Sequence, residues 1–126
     1  MTVTTSDASL SADAGAVLSK AVARAAERLN IPRGQLARIL GVSPATITRL
    51  YAGHYQLESH RKEWEFALLF VRLFRSLDSL VGEELTARQW LNSNNQGLNG
   101  RPIELINQTE GLVRVVHYLD ASRGLV

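Results

Sequence analysis

The sequence predicts an all-α fold, and three observations carry that prediction. Apolar residues recur at three- and four-residue spacing along nearly the whole chain. No strand-like alternation of useful length interrupts them. There are only three prolines, no internal repeat, and no low-complexity stretch after residue 14.

The elements follow in order. Met1 to Ala14 is polar and lacks the basic start and apolar stretch of a signal peptide, so it reads as a disordered lead. A first helix is expected from about Asp13 to Leu29, with Leu18, Ala21, Val22, Ala25 and Leu29 on one face. Ser11 or Asp13 suits its start, Asn30 suits its end, and Pro32 prevents simple continuation. A second helix covers roughly Arg33 to Leu40, and Gly41-Val42-Ser43 is a tight turn. A third helix runs from Pro44 to about Tyr51. The fourth, about Lys62 to Val81, is the most apolar. Phe66, Phe70, Leu73, Leu77 and Leu80 form one stripe, with Ala67, Val71 and Phe74 beside it. So wide an apolar surface needs cover on more than one side. A second copy of the chain is the expected cover, and the C-terminal helices are the alternative. A fifth helix includes Thr86 to Leu91. A polar loop follows from Asn92 to Pro102, with turn signals at Gly97 and Asn99-Gly100. After a short apolar turn at Ile103 to Ile106, Thr109 is expected to cap a last helix reaching Ser122. Leu112, Val115, Val116 and Leu119 share one of its faces.

Composition narrows the function classes. At 126 residues, 45% hydrophobic and 21% charged, the chain suits one modest core. No apolar run reaches the ~18 residues of a membrane span. No cysteine is present, which excludes disulfides and thiolate metal sites, and a cytoplasmic location fits. The net charge of +2 is unevenly placed. Residues 1–62 carry eight Lys/Arg and four Asp/Glu, whereas residues 63–126 carry six and eight. The front half suits phosphates, and the back half suits a different partner. His54, His60 and His117 are scattered. His54 lies just past the third helix, near enough to approach a phosphate. No P-loop, nucleophile elbow, HExxH or dinucleotide-binding glycine pattern occurs, and no carboxylates form an acid/base pair. Neither an enzyme nor a cofactor is expected.

The most informative stretch is residues 33–53. Two short helices must cross steeply over a three-residue turn. Ala37 is small enough for close approach, Gly41 can take positive φ, and Val42 can tuck beneath the turn. Ser43 can cap the next helix, and Pro44 is preorganised for its first position. Leu36, Leu40, Ile47 and Leu50 face inward, leaving Ala45, Thr46, Thr48 and Arg49 outward. This arrangement resembles the helix-turn-helix of the Xre/Cro-like bacterial repressors. The resemblance implies that the third helix enters the major groove of operator DNA. Pro44, Ala45 and Arg49 match family positions that face bases, and Arg49 is the one strong polar reader, suited to guanine. Arg33, Ser43 and Thr46 match positions near phosphates, and Arg38 and Arg61 add charge. Pro44 and Ala45 stand where the family often has glutamine. That weakens specificity for a single copy and favours binding as a homodimer or larger assembly.

The chain continues with Ala87, Trp90-Leu91, Leu98, Gly100, Pro102-Ile103, Leu105, Thr109-Glu110-Gly111, Val115, Leu119 and Gly124. Physically this is a helix, a constrained loop and a second helix, with Trp90 as an anchor against the last. The pattern is similar to the C-terminal toxin-binding domain of the Xre/MbcA/ParS antitoxins. The expected organisation is a lead at 1–14, a DNA-binding unit at 15–61, a central core or dimerisation helix at 62–85, and a toxin-binding domain at 86–126. The resemblance implies a type II antitoxin that restrains a RES-type toxin, an NAD-degrading, ADP-ribosyltransferase-like enzyme, and represses its own operon. Trp90, Arg114, His117, Tyr118, Arg123, Leu125 and Val126 are the expected toxin-contacting residues. An arginine suits a cleft built for a diphosphate, but the sequence does not single out which one enters. A repressor without a toxin partner, and a pure inhibitor with a vestigial helix-turn-helix, are the competing readings.

Overall fold

The computed structural model describes the backbone of residues 3–124 and the side chains of residues 13–124. Among these residues there are seven helices and no strand. They are α1 (Val3–Arg28), α2 (Arg33–Leu40), α3 (Pro44–Tyr51), α4 (Lys62–Val81), α5 (Glu84–Asn92), α6 (Pro102–Leu105) and α7 (Thr109–Ser122).

The first helix departs from expectation. It begins at Val3, so residues 3–14, expected as part of a disordered lead, are helical, and neither Ser11 nor Asp13 caps its start. The chain has no proline or glycine before Gly15, so no backbone breaker stops the helix from extending toward the N-terminus. At the other end Asn30 takes the left-handed conformation (φ 58°), which stops the helix. The two following helices have the expected bounds. Gly41 sits at φ 73°, and the Ser43 side chain accepts a hydrogen bond from the Thr46 amide at 3.1 Å. Thr109 is the first residue of α7 rather than its cap. The capping position falls on Gln108, whose side chain makes no capping bond.

Helix α4 is the centre of the molecule. It packs against α1, α2, α5 and α7. Phe70, Leu73 and Leu77 are fully buried, and Ala67 and Val71 join the same core. Most of the apolar surface that called for a second copy is therefore covered within one chain. A remnant stays open: Leu68 is 44% exposed and Leu80 42%. One continuous core runs from Leu18 on α1 to Leu119 on α7.

Polar ties join the front and back of the chain. The Arg88 Nε on α5 donates to the Arg28 carbonyl at 2.8 Å, which satisfies an open carbonyl in the last turn of α1. The Gln35 Nε2 on α2 donates to the Ile103 carbonyl on α6 at 2.7 Å. The Ser19 hydroxyl receives the Leu57 amide at 3.0 Å and fastens the α3–α4 connection onto α1.

Candidate functional site

The outward face of α3 is built by its own cap and its neighbours. Ile47 and Leu50 are buried, which turns Ala45, Thr48 and Arg49 outward, with Pro44 exposed beside them at the first turn. The Ser43 and Thr46 hydroxyls lie 2.9 Å apart, and the Arg49 Nη2 reaches Thr46 Oγ1 at 3.5 Å. The arginine is thus held lightly over the start of α3. Thr48 donates its hydroxyl to the Pro44 carbonyl at 3.2 Å. That leaves its methyl group and oxygen lone pairs outward, with no free donor. Arg49 is the strongest free donor on this face.

Arg33 stands at the edge of the same surface. Its guanidinium lies 4.2 Å from the centre of the Tyr51 ring, a cation–π contact that fixes the side chain beside α3. The Tyr51 hydroxyl is pushed to higher pKa by burial first and then by Glu27, with Arg33 opposing. Arg38 is placed differently. It lines a polar cleft with Gln35, Asn92, Arg101 and Asn107, and no α3 residue shares that cleft. Arg61 precedes α4 and pairs with Glu58 at 3.8 Å, an exposed contact.

The expected toxin-contacting residues divide into two groups. Trp90 and Tyr118 pack together with ring centroids 6.3 Å apart, and the Tyr118 ring lies on Gly97. Arg114 donates from Nη2 to the Leu98 carbonyl at 2.6 Å. These contacts clamp the loop between α5 and α6, whose turn is closed by paired hydrogen bonds between Asn95 and Gly100. His117 is exposed beside them. Arg123 lies nine residues after Arg114, half a helical turn out of phase with it. It points the other way, toward α4, where Nη1 donates to the Ser76 hydroxyl at 2.9 Å. Leu125 and Val126 lie outside the described residues.

Sequence reasoning missed what Arg123 joins. Asp120 is buried at 2% exposure, pairs with Arg72 at 2.5 Å, and accepts the Ser76 hydroxyl at 3.0 Å. The signal was a pair of interruptions. Ser76 breaks the apolar stripe of α4, and Asp120 stands on the inward face of α7, four residues after Val116. Two polar residues on the buried faces of neighbouring helices are satisfied most cheaply by each other.

Among the described residues, no group of three or more His, Asp and Glu is placed to hold a metal, and no helix is long and apolar enough to cross a membrane.

Residues 8–72 match the family model of the antitoxin Xre-like helix-turn-helix domain. The chain belongs to the Xre-like antitoxin family. Residues 76–124 of this antitoxin match the Xre/MbcA/ParS C-terminal toxin-binding domain, and the two matches meet within α4. Among solved structures it is similar to a chain of the crystal structure of the M. tuberculosis MbcT–MbcA toxin–antitoxin complex. The TM-score is 0.63 at 26% identity, covering 87% of this chain and 97% of that one. No curated protein matches. The protein is thus the antitoxin of a toxin–antitoxin system, a regulatory partner rather than an enzyme, carrying a helix-turn-helix and a toxin-binding domain.

Proposed function

We propose that the antitoxin binds a RES-type, NAD-degrading toxin, occludes its active-site cleft, and represses the operon that encodes both. It acts in the cytoplasm, as a homodimer on DNA. The observation that carries this reading is the presence of a toxin-binding domain and a Ser43-capped α3, with Arg49 exposed, on one chain. In the operator complex α3 lies in the major groove. Arg49 pairs with guanine, while Pro44, Ala45 and the Thr48 methyl supply shape and apolar contact. Arg33, Ser43 and Thr46 sit by the phosphates, with Arg38 adding charge from α2.

Toward the toxin, Trp90, Tyr118 and His117 present one surface. Arg114 supports it from behind through its bond to Leu98. Arg123 and the residues after it, Leu125 and Val126, are the segment that enters the cleft. Arg123 is exposed and held by a single bond to Ser76, so its release costs little, and its guanidinium suits a site made for a diphosphate.

The test is coexpression with the neighbouring reading frame, followed by copurification and a growth assay. The expected result is a stable complex and restored growth. Deleting residues 123–126 should keep the complex and abolish neutralisation. Intact neutralisation after that deletion overturns the plug. Failure of the two proteins to copurify and to cancel toxicity overturns the RES-partner reading and leaves a repressor acting alone.

A further inference from the structure

The open remnant of the core lies between α1 and α4. Val17 on α1 is 68% exposed, the largest value among the exposed large hydrophobic side chains of the described residues, and Leu68 on α4 is 44% exposed. Two adjoining clefts share Val17, Ala21, Val71 and Arg75, so they form one groove along the two helices. An apolar surface of this kind, rimmed by charge, is a docking surface.

Its occupant is named by the order of residues along α1. Asp13, Val17, Ala21 and Arg24 follow one another at spacings of four, four and three, so they stand on one face. The acid is at one end, the cation at the other, and small apolar residues lie between. Asp13 and Arg24 are about 16 Å apart along the helix, at about 1.5 Å per residue, and cannot pair within one chain. Among the described residues neither makes an ion pair. A twofold interface requires a patch that is complementary to itself. Turn a second α1 antiparallel about a point midway between Val17 and Ala21. Val17 of each copy then faces Ala21 of the other, and Asp13 of each comes within one residue, about 1.5 Å along the axis, of the level of Arg24, a gap the long arginine side chain spans. Ala14 and Ala21 leave room for the helix backbones to approach. The neighbouring rim cations, Lys20 and Arg75, have aliphatic stems long enough to lie over the apolar floor with their charges in water.

We propose that the α1–α4 groove is the self-association surface of this antitoxin, with α1 packed antiparallel against α1 of a second copy and Asp13 facing Arg24 across the twofold axis. This rests on the homodimer reading above and names the surface and register that the reading leaves open.

The experiment is sedimentation equilibrium of the full chain and five variants, with folding checked by circular dichroism. Val17→Glu is mild toward the fold because the side chain is already exposed, and Leu68→Glu is the second probe of the same groove. The wild type is expected to be a dimer, and both glutamate variants monomers. Asp13→Arg and Arg24→Asp should each weaken dimerisation roughly tenfold, since each reverses two symmetry-related pairs. The double swap Asp13→Arg with Arg24→Asp should return to within about threefold of wild type. A wild type that stays monomeric at tens of micromolar overturns the homodimer reading itself. A dimer indifferent to Val17→Glu and Leu68→Glu overturns the groove while sparing that reading. A double swap no better than the singles overturns the register. Toxin neutralisation, measured separately, reports on the antitoxin function independently of all three.

Discussion

Arg49 and Tyr55 show how single side chains on this scaffold acquire different roles from their surroundings. Arg49 is exposed on α3 with one weak contact to Thr46, so it is free to meet a base edge. Arg49→Ala is expected to cost roughly 1–3 kcal/mol per lost base contact. In anisotropy titrations at one fixed salt concentration, preference for the upstream operator over random DNA should collapse. Residual phosphate-driven binding should persist. Tyr55 is tied down instead. Its hydroxyl donates to Glu63, itself nearly buried, at 2.5 Å. Burial, and then the Glu63 hydrogen bond and charge, push the Tyr55 pKa from 10.0 up to about 12. The folded state therefore favours the protonated phenol. The stabilisation is complete below the unfolded pKa of about 10 and is lost as pH rises through about 12. A tyrosinate absorbance titration should show Tyr55 as the last tyrosine to ionise, and Tyr55→Phe should remove the step near pH 12 and flatten the alkaline loss of stability. A step near pH 12 that survives Tyr55→Phe would assign the shift to another tyrosine.

Between elements, the decisive contacts are a close approach and a buried ionic cluster. Helices α6 and α7 meet at Gly111, where an added Cβ would come 1.9 Å from the Leu105 carbonyl oxygen. Backbone cannot yield as a side chain can, so Gly111→Ala should destabilise the fold by roughly 1–3 kcal/mol or more. Thermal unfolding should show a fall of several degrees, and an unchanged melting temperature would contradict the packing described. Asp120 is the only acidic group buried between α4 and α7 among the described residues. Arg72→Ala removes its cation and leaves a buried carboxylate held by Ser76 alone. A loss of about 2 kcal/mol is expected, below the full cost of breaking a buried pair because Arg72 is 59% exposed. Arg101→Ala breaks an exposed pair with Glu104 and should cost about 0.5 kcal/mol or less. Chemical denaturation of the two variants side by side tests that ranking. Equal losses would mean that burial of Asp120 contributes nothing.

At the scale of the whole molecule, α4 belongs to both halves. It covers α2 and the helix-turn-helix on one side and α7 on the other, so neither half closes its core alone. Calorimetry should record one cooperative transition, and a chain stopped at Arg61 should show none, because Leu36, Leu40 and their neighbours would lose the cover of α4. Two separate transitions would contradict the shared core. The same geometry explains what was legible in the sequence. Local rules placed α2, α3 and α4 at their expected bounds, because Gly41, Ser43 and Pro44 act within a few residues of themselves, and α4 stops where Gly82 takes a left-handed φ of 75°. The packing of Trp90 on the last helix was also legible, since a large aromatic in a short helix has few places to go. Caps of weaker chemistry were not: Thr109 lies inside α7, and α1 starts ten residues before Asp13. Local spacing along the chain was enough to specify the helical class, the helix-turn-helix with Arg49 outward, and the family pattern of the C-terminal domain. The tertiary structure alone decided that α4 is covered largely within one chain. It also decided that Arg114 braces a loop while Arg123 turns to Ser76, and that Asp120 is buried against Arg72. Those outcomes depend on which faces meet across a distance in sequence, and a periodicity states that a face exists without naming what covers it.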